Sequence, residues 1–188
     1  MARELHTLTA GLPGVDVACL PAALHNRPER IPGAVAAKLE ELGDSYRSVF
    51  VAYADCGTGG TLDRLLASRG IARLPGAHCY EVYAGATAFA RLHDEEPGTF
   101  YLTDFLVRNF EGLVWRGLGL DRHPELLPLY FGHYRRLVYL QQSDDPTLVE
   151  TARRAANRLG LAFQLVPTGY DGLVGAVGGF LADATAGR

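Results

Sequence analysis

The sequence predicts an α/β fold with an open, mostly parallel five-stranded sheet and helices on both faces. Short apolar runs alternate with segments of helical periodicity along the 188 residues, the pattern of chains built from strand–helix–strand units. The run 48–55 is almost continuously apolar, which is typical of a parallel strand buried on both faces. The helical segments 61–70 and 146–160 both close with glycine, a residue that commonly follows the last helical turn.

Each predicted strand is a short apolar segment bounded by turn residues, and each predicted helix has apolar residues three and four positions apart. The predicted strands are 15–20, 48–55, 71–75, 136–142 and 162–168, and the main predicted helices are 34–46, 61–70, 79–98, 101–121, 146–160 and 172–184. Residues 1–13 are expected to form a loose lead-in. We expect residues 1–188 to form a single domain with a helical insertion, 79–135, between strands 3 and 4.

Composition and charge narrow the class of protein. With 48% hydrophobic and 21% charged residues, the chain has the composition of an ordinary globular protein. A net charge of -3 and the lack of a basic cluster argue against nucleic acid as a partner. No apolar run reaches membrane-spanning length, and the first residues do not resemble a secretory signal. We therefore expect a cytoplasmic protein with no membrane partner. Three cysteines, an odd number, favour reduced thiols over a disulfide framework.

The three cysteines follow three predicted strands. Cys19 ends the first strand, Cys56 comes just after the second, and Cys79, preceded by His78, comes just after the third. Right-handed crossovers place the ends of parallel strands along one rim, where open α/β sheets bind ligands. The sequence therefore predicts a shared site at this rim.

Thiolates and imidazole are ligands that suit zinc or iron. We expect Cys19, Cys56, His78 and Cys79 to bind a metal, zinc in the first place, with an iron–sulfur cluster as the alternative. Two other hypotheses remain open. Free cysteines often fill core volume, and Cys56 could be a nucleophile whose pKa is lowered at the start of the next helix.

Acidic and glycine residues surround Cys56. Asp55 and Glu81 lie near the predicted rim and are candidate general bases. In "CGTGGTLD", the amides of residues 57–60 could bind an anion such as a carboxylate, a phosphate or a corrinoid side chain. The candidate cofactor-binding residues are Gly57, Thr58, Gly59 and Gly60. The alternative is a tight strand-to-helix turn with Thr61 as its cap.

Helical spacing also brings aromatic residues together in "LYFGHYRRL". Tyr130, His133 and Tyr134 are expected to form a face that packs on the core or on a second copy of the chain, as in a homodimer.

Several motifs together resemble an uncharacterised family of bacteria and archaea, the domain of unknown function 1638. They are "VACLPAALHNRP", "AYADCGTGG", "GAHCYEVYAG", "EPGTFYLTDFLVRNF", "GLDRHPEL" and "VYLQQSDD", within residues 15–175. Among these motifs, DCGTGG and HCYE are the most specific to the family. The family commonly continues Cys-Gly in its first motif, whereas this chain has Cys19-Leu20.

The resemblance implies a link to methyl transfer, because the genes of family members often lie beside genes for corrinoid-dependent methyltransferases. Cys19, Cys56, His78 and Cys79 match the cysteine-bearing motifs and would be metal or substrate ligands. The expected function is a metal-binding protein in corrinoid-linked methyl-transfer or one-carbon metabolism, with a small molecule or a corrinoid protein as partner. The alternatives are a carrier that delivers a metal, corrinoid or cluster, and an iron–sulfur protein that reactivates a corrinoid.

Overall fold

A computed structural model describes residues 1–186, with side chains described as far as residue 183. Within that span the chain is a mixed α/β protein, as predicted. The α-helices are α1 Ala2–Thr9, α2 Ile31–Leu42, α3 Thr61–Ala67, α4 Cys79–Ala84, α5 Ala86–Glu95, α6 Asp104–Arg108, α7 Leu127–Phe131, α8 Pro146–Leu159 and α9 Asp171–Ala186. The strands are β1 Phe50–Val51, β2 Ala72–Arg73, β3 Thr99–Thr103, β4 Arg136–Gln141 and β5 Ala162–Pro167.

The described strands form two small parallel sheets, so the prediction of one five-stranded sheet is wrong. β1 pairs with β2, with Phe50 opposite Ala72. The second sheet has the order β3-β4-β5, with Thr99 opposite Arg136 and Arg136 opposite Ala162. The strands are parallel, as the alternation of apolar runs and helices predicts.

The first predicted strand, residues 15–20, is not a strand. Its V-D-V alternation satisfies the local pattern for a strand, but this segment has no pairing partner. Asp16, Ala18 and Cys19 are exposed and Leu20 is half-buried. Since a strand is stabilised by its ladder of hydrogen bonds to a neighbour, an alternating segment without a partner stays irregular.

A strand lies where the sequence predicts a long helix. β3 occupies the beginning of the predicted segment 101–121, and α6 and a π-helical turn, Phe110–Trp115, follow it. The segment Thr99–Thr103 has two threonines and two aromatic residues, which favour a strand. The predicted insertion 79–135 is therefore not purely helical.

Smaller corrections concern the ends of helices. The predicted lead-in contains α1, and the helix predicted at 79–98 is divided between α4 and α5 at Gly85, which has a positive φ of 78°. α8 follows the prediction closely. Asp145 caps it by accepting a hydrogen bond from the Thr147 amide at 2.9 Å, and Gly160 ends it in the left-handed conformation.

The described backbone divides into two compact units. The first comprises residues 1–82 with those from 170 onward, and the second comprises residues 83–169. The single domain over residues 1–188 therefore stays a prediction. A buried apolar cluster in the first unit joins α2, β1 and α3 through Ile31, Val35, Val51, Leu62 and Leu66.

The second unit has its core on the three-stranded sheet. Every residue of β4 from Leu137 to Leu140 is fully buried. α8 packs against β4, β5 and α6 through the small residues Ala152 and Ala156, which are also fully buried. Small side chains permit the close approach of helix and sheet. Among the described residues, no helix combines the length and the apolar character that crossing a membrane requires.

Candidate functional site

The turn after β1 is built around the carboxylate of Asp55. Its two oxygens accept hydrogen bonds from the Thr58 hydroxyl at 2.5 Å, the Gly59 amide at 3.2 Å and the Gly60 amide at 3.0 Å. The bond from Thr58 is the main reason that the pKa of Asp55 lies below its usual value. Two of the amides expected to bind an anion therefore have a partner within the turn. Gly60, rather than Thr61, is the residue that precedes α3.

Cys56 has an uncommon backbone conformation. Its φ is +49°, and among residues 1–186 it is the one non-glycine residue with a positive φ. This conformation costs an L-residue about 1–2 kcal/mol. Gly57, Gly59 and Gly60 follow it with φ of 85°, 61° and 74°, and glycine adopts these angles readily. The sequence DCGTGG thus produces a tight turn that begins with a strained cysteine.

Backbone hydrogen bonds join this turn to the segment after β2. The Asp55 amide donates to the Gly76 carbonyl at 3.2 Å, and the Cys56 amide donates to the Ala77 carbonyl at 2.8 Å. These bonds join the two loops that follow β1 and β2. They hold Cys56 opposite the residues that immediately precede Cys79.

Two side chains shape the segment after β2. Arg73 binds both carboxylate oxygens of Asp63, at 2.6 and 2.9 Å, and also donates to the carbonyls of Leu74 and Gly76. Glu81, in the first turn of α4, accepts a hydrogen bond from the Ala77 amide at 2.6 Å. The segment that leads into α4 is therefore fixed by Arg73, which precedes it, and by Glu81, which follows it.

The thiols of Cys56 and Cys79 interact directly, and their pKa values move apart. A hydrogen bond from the Cys79 side chain is the largest cause that lowers the pKa of Cys56 from 9.0 to about 7, and the backbone amides of Cys79 and Ala54 add to it, while burial opposes the shift. The same contact with Cys56, followed by burial, raises the pKa of Cys79 well above its usual value. At pH 7 about half of the Cys56 side chains are therefore thiolates, whereas Cys79 stays a thiol.

The other predicted ligands have different neighbours. Cys19 is exposed, and its Sγ lies 3.6 Å from Nε2 of His6. His78 is exposed, and its ring contacts that of Tyr80 at a centroid distance of 5.9 Å. Cys19 does not follow a strand, so the argument that placed all three cysteines on one rim is wrong for Cys19.

Three neighbours of these thiols were not predicted from the sequence: His6, Tyr53 and Arg73. Burial, then the charges of Cys56 and Cys19, raises the pKa of the Tyr53 phenol, and the charge of Cys56 contributes to the raised pKa of Arg73. Tyr53 lies in "AYADC", so proximity in sequence was an available signal. His6 is thirteen residues from Cys19, and the sequence gives no signal for that contact.

The described residues contain no group of three or more His, Cys, Asp or Glu side chains that could hold a metal ion. The four predicted ligands thus do not form a preassembled zinc centre here. What the chain offers is a pair of neighbouring thiols, one of them with a lowered pKa, on two loops held together by backbone hydrogen bonds.

Comparison with known proteins identifies the family. No match was found among curated proteins or among solved structures. One family model, described as "Protein of unknown function (DUF1638)", matches residues 19–176. The matched span includes Cys19, Cys56, His78 and Cys79. Because it covers most of the sequence, the chain belongs to the family of proteins of unknown function DUF1638.

Proposed function

We propose that the protein acts through Cys56 as a thiolate nucleophile, with Cys79 as the thiol that keeps Cys56 ionised. The observation that carries this proposal is the hydrogen bond from the Cys79 side chain, the largest cause that lowers the pKa of Cys56 to about 7. The thiolate is the nucleophilic form of cysteine, so an ionised Cys56 is ready to react at neutral pH. The positive φ of Cys56 supports the proposal, because backbone strain is concentrated at functional sites.

The reaction that we propose is transfer of a methyl group to Cys56, in the methyl-transfer metabolism that the family resemblance implies. The thiolate attacks the methyl carbon and a sulfur–carbon bond forms. The bond between that carbon and the leaving group breaks, and its electron pair departs with the leaving group. Cys79 donates a hydrogen bond to Cys56 before the attack and keeps its own proton.

The two acidic candidates fit a positioning role in this proposal. Asp55 accepts hydrogen bonds within the turn that carries Cys56, and Glu81 accepts one from the Ala77 amide just before Cys79. Each carboxylate therefore stabilises one of the two loops. Their expected role as general bases stays a prediction.

The first test is the pH dependence of Cys56 alkylation by iodoacetamide, measured by peptide mass spectrometry. Below its pKa a thiol is protonated and unreactive, so the rate should rise with pH and reach half its maximum near pH 7 at Cys56. A midpoint near 9.0, the usual value, would contradict the proposal. A Cys19→Ser variant is the matched control, and it should leave the Cys56 midpoint unchanged.

A Cys79→Ala variant examines the cause of the low pKa in the same assay. Loss of the Cys79 thiol should move the Cys56 midpoint upward. At pH 7 the alkylation rate should fall ~2- to 6-fold, because the lower thiolate fraction is partly offset by the greater nucleophilicity of a more basic thiolate. An unchanged midpoint would show that Cys79 does not hold Cys56 as thiolate.

The same contact favours a second candidate, a carrier that binds zinc through Cys56 and Cys79. Two thiolates supply half of a tetrahedral zinc site. The remaining ligands would come from the substrate or from a partner, such as a corrinoid protein to which the metal or a cluster is delivered. His78 and Cys19 remain the candidates within the chain.

Titration with Cd²⁺ tests this carrier function. Thiolate coordination should produce ultraviolet charge-transfer absorption in the wild-type protein and in Cys19→Ser, but not in Cys79→Ser. Absence of this absorption in the wild type would overturn the carrier hypothesis, whereas equal loss in Cys19→Ser would restore Cys19 to the ligand set. Iron and sulfide in protein purified without oxygen would instead favour the cluster alternative.

A further inference from the structure

Cys56 and Cys79 are held as neighbours by the backbone as well as by their side chains. The Cys56 amide donates to the Ala77 carbonyl at 2.8 Å and the Asp55 amide donates to the Gly76 carbonyl at 3.2 Å. Ala77 lies two residues before Cys79, so these bonds bring the backbone of Cys56 close to the segment that carries Cys79. The Cys79 side chain also lies beside Cys56, because its hydrogen bond is the largest cause of the lowered Cys56 pKa.

We propose that Cys56 and Cys79 interconvert between a dithiol and a disulfide, so that a peroxide oxidant converts the pair into a form that cannot act as a nucleophile. This inference rests on the proposed function in one respect, since the group that oxidation removes is the thiolate assigned there. Beyond that function, the inference assigns a reversible modification to Cys56 and Cys79. It also assigns Cys79 a chemical role of its own, as the resolving thiol.

The chemistry balances with hydrogen peroxide as the oxidant. The Cys56 thiolate attacks one peroxide oxygen, a sulfur–oxygen bond forms, and the oxygen–oxygen bond breaks to release hydroxide. The Cys79 sulfur then attacks the sulfenic sulfur, and a sulfur–sulfur bond forms as the sulfur–oxygen bond breaks. The departing hydroxide combines with the Cys79 proton. In sum, two thiols lose two electrons and two protons, and one peroxide becomes two waters.

The structure distinguishes the roles of the cysteines. Cys56 is partly exposed and is the thiolate, so it is the sulfur that an oxidant should reach and react with first. Cys79 follows as the neighbouring thiol. Cys19 is exposed, and its side chain lies beside His6. The disulfide should therefore exclude Cys19.

The glycines of the loop that carries Cys56 favour reversible formation of the disulfide. The loop that carries Cys56 contains three glycines with positive φ, at 57, 59 and 60, which can adjust when the sulfur–sulfur bond replaces the hydrogen bond. The segment with Cys79 is anchored by Arg73 and Glu81. Oxidation should therefore change the turn of Cys56 more than the beginning of α4.

The test is oxidation of the full chain with a slight molar excess of hydrogen peroxide at pH 7, followed by N-ethylmaleimide and intact-mass measurement. We expect one maleimide adduct in place of three, since the chain has three cysteines. A digest should contain a peptide linked through Cys56 and Cys79, and dithiothreitol should restore three adducts. Cys19→Ser should still form the linked peptide. In Cys79→Ser, dimedone should trap Cys56 as the sulfenic acid.

The outcomes separate this inference from the proposed function, because a separate portion of each sample is alkylated at pH 7 without peroxide. Normal alkylation of Cys56 with three adducts retained after peroxide, or a disulfide that includes Cys19, would overturn the inference alone. Slow alkylation of Cys56 with a midpoint near 9.0 would overturn the proposed function. A Cys56–Cys79 peptide in the oxidised wild type supports the inference even if a serine variant fails to fold.

Discussion

Asp104→Ala should destabilise the second unit by about 4 kcal/mol, because it removes the acceptor for several buried donors. Asp104 follows β3 and is fully buried. One carboxylate oxygen accepts hydrogen bonds from the Tyr139 hydroxyl at 2.6 Å and the Gln142 amide at 2.9 Å. The other accepts from the Ser143 hydroxyl and from Arg108.

The size of this effect follows from what the alanine leaves behind. Each buried donor without an acceptor costs roughly 1–3 kcal/mol, and both Tyr139 and Gln142 are buried. Burial and the bond to Asp104 also raise the pKa of Tyr139, so this phenol stays protonated and continues to need an acceptor. Water can satisfy Ser143, which is half-buried, and this limits the total.

Urea unfolding with hydrogen exchange of the β4 amides would measure the effect. Tyr139→Phe removes one donor and leaves the carboxylate its other partners, so it should cost about 1 kcal/mol. Asp144→Ala is the matched control, because Asp144 is exposed and should change stability by less than ~0.5 kcal/mol. A loss below ~1 kcal/mol in Asp104→Ala would show that the network does not stabilise the sheet.

The strands of the second sheet show what the sequence alone could predict. The predictions 136–142 and 162–168 match β4 and β5 to within a residue at each end. β4 is buried along nearly its whole length, so its continuous apolar run carries the information. β3 was not predicted, because "TFYLT" adjoins "DFLVRNF" and the apolar residues of both segments together imitate helical periodicity.

Pairing is the information that the sequence does not contain locally. Residues 15–20 have an alternating pattern yet no partner strand, whereas β1 and β2, each of two residues, are strands because they pair with each other. One sheet of five strands could not be distinguished from two smaller sheets by counting apolar runs. Which strands meet depends on contacts between distant residues.

The candidate site could also be predicted only in part from the sequence. Cys56 and Cys79 could be brought together from the sequence because they follow two strands that pair with each other, five and six residues beyond the strand ends. The placement of Cys19 depended on a strand that does not form. The low pKa of Cys56 arises from the Cys79 thiol and from nearby amides, and such hydrogen bonds cannot be derived from spacing. The roles expected of the four metal ligands stay predictions.

Gly172→Ala should destabilise the first unit by about 3 kcal/mol, at the upper end of the cost of overpacking. Gly172 is near the start of α9, and a Cβ at this position would overlap the carbonyl oxygen of Val82 in α4. That contact is with backbone, so no side-chain rotation can relieve it. The neighbouring Leu173 is fully buried, which opposes movement of α9 away from α4.

This substitution should also alter the thiol pair, because α4 begins at Cys79. A displaced α4 would move the Cys79 thiol relative to Cys56 and weaken the hydrogen bond that lowers the Cys56 pKa. We therefore expect lower stability toward urea together with an upward shift of the Cys56 alkylation midpoint from about 7.

Gly175→Ala is the matched control for this prediction, since it lies in the same helix and a Cβ there would have no atom within 4 Å. Alanine is favoured over glycine in a helix by ~1 kcal/mol, so this variant should be as stable as the wild type or more stable, with the Cys56 midpoint unchanged. Equal stability of the two variants would contradict the close contact between α9 and α4. A destabilised Gly172→Ala with an unaltered midpoint would instead show that the position of Cys79 depends on Glu81 and the Ala77 amide, and not on the packing of α4 against α9.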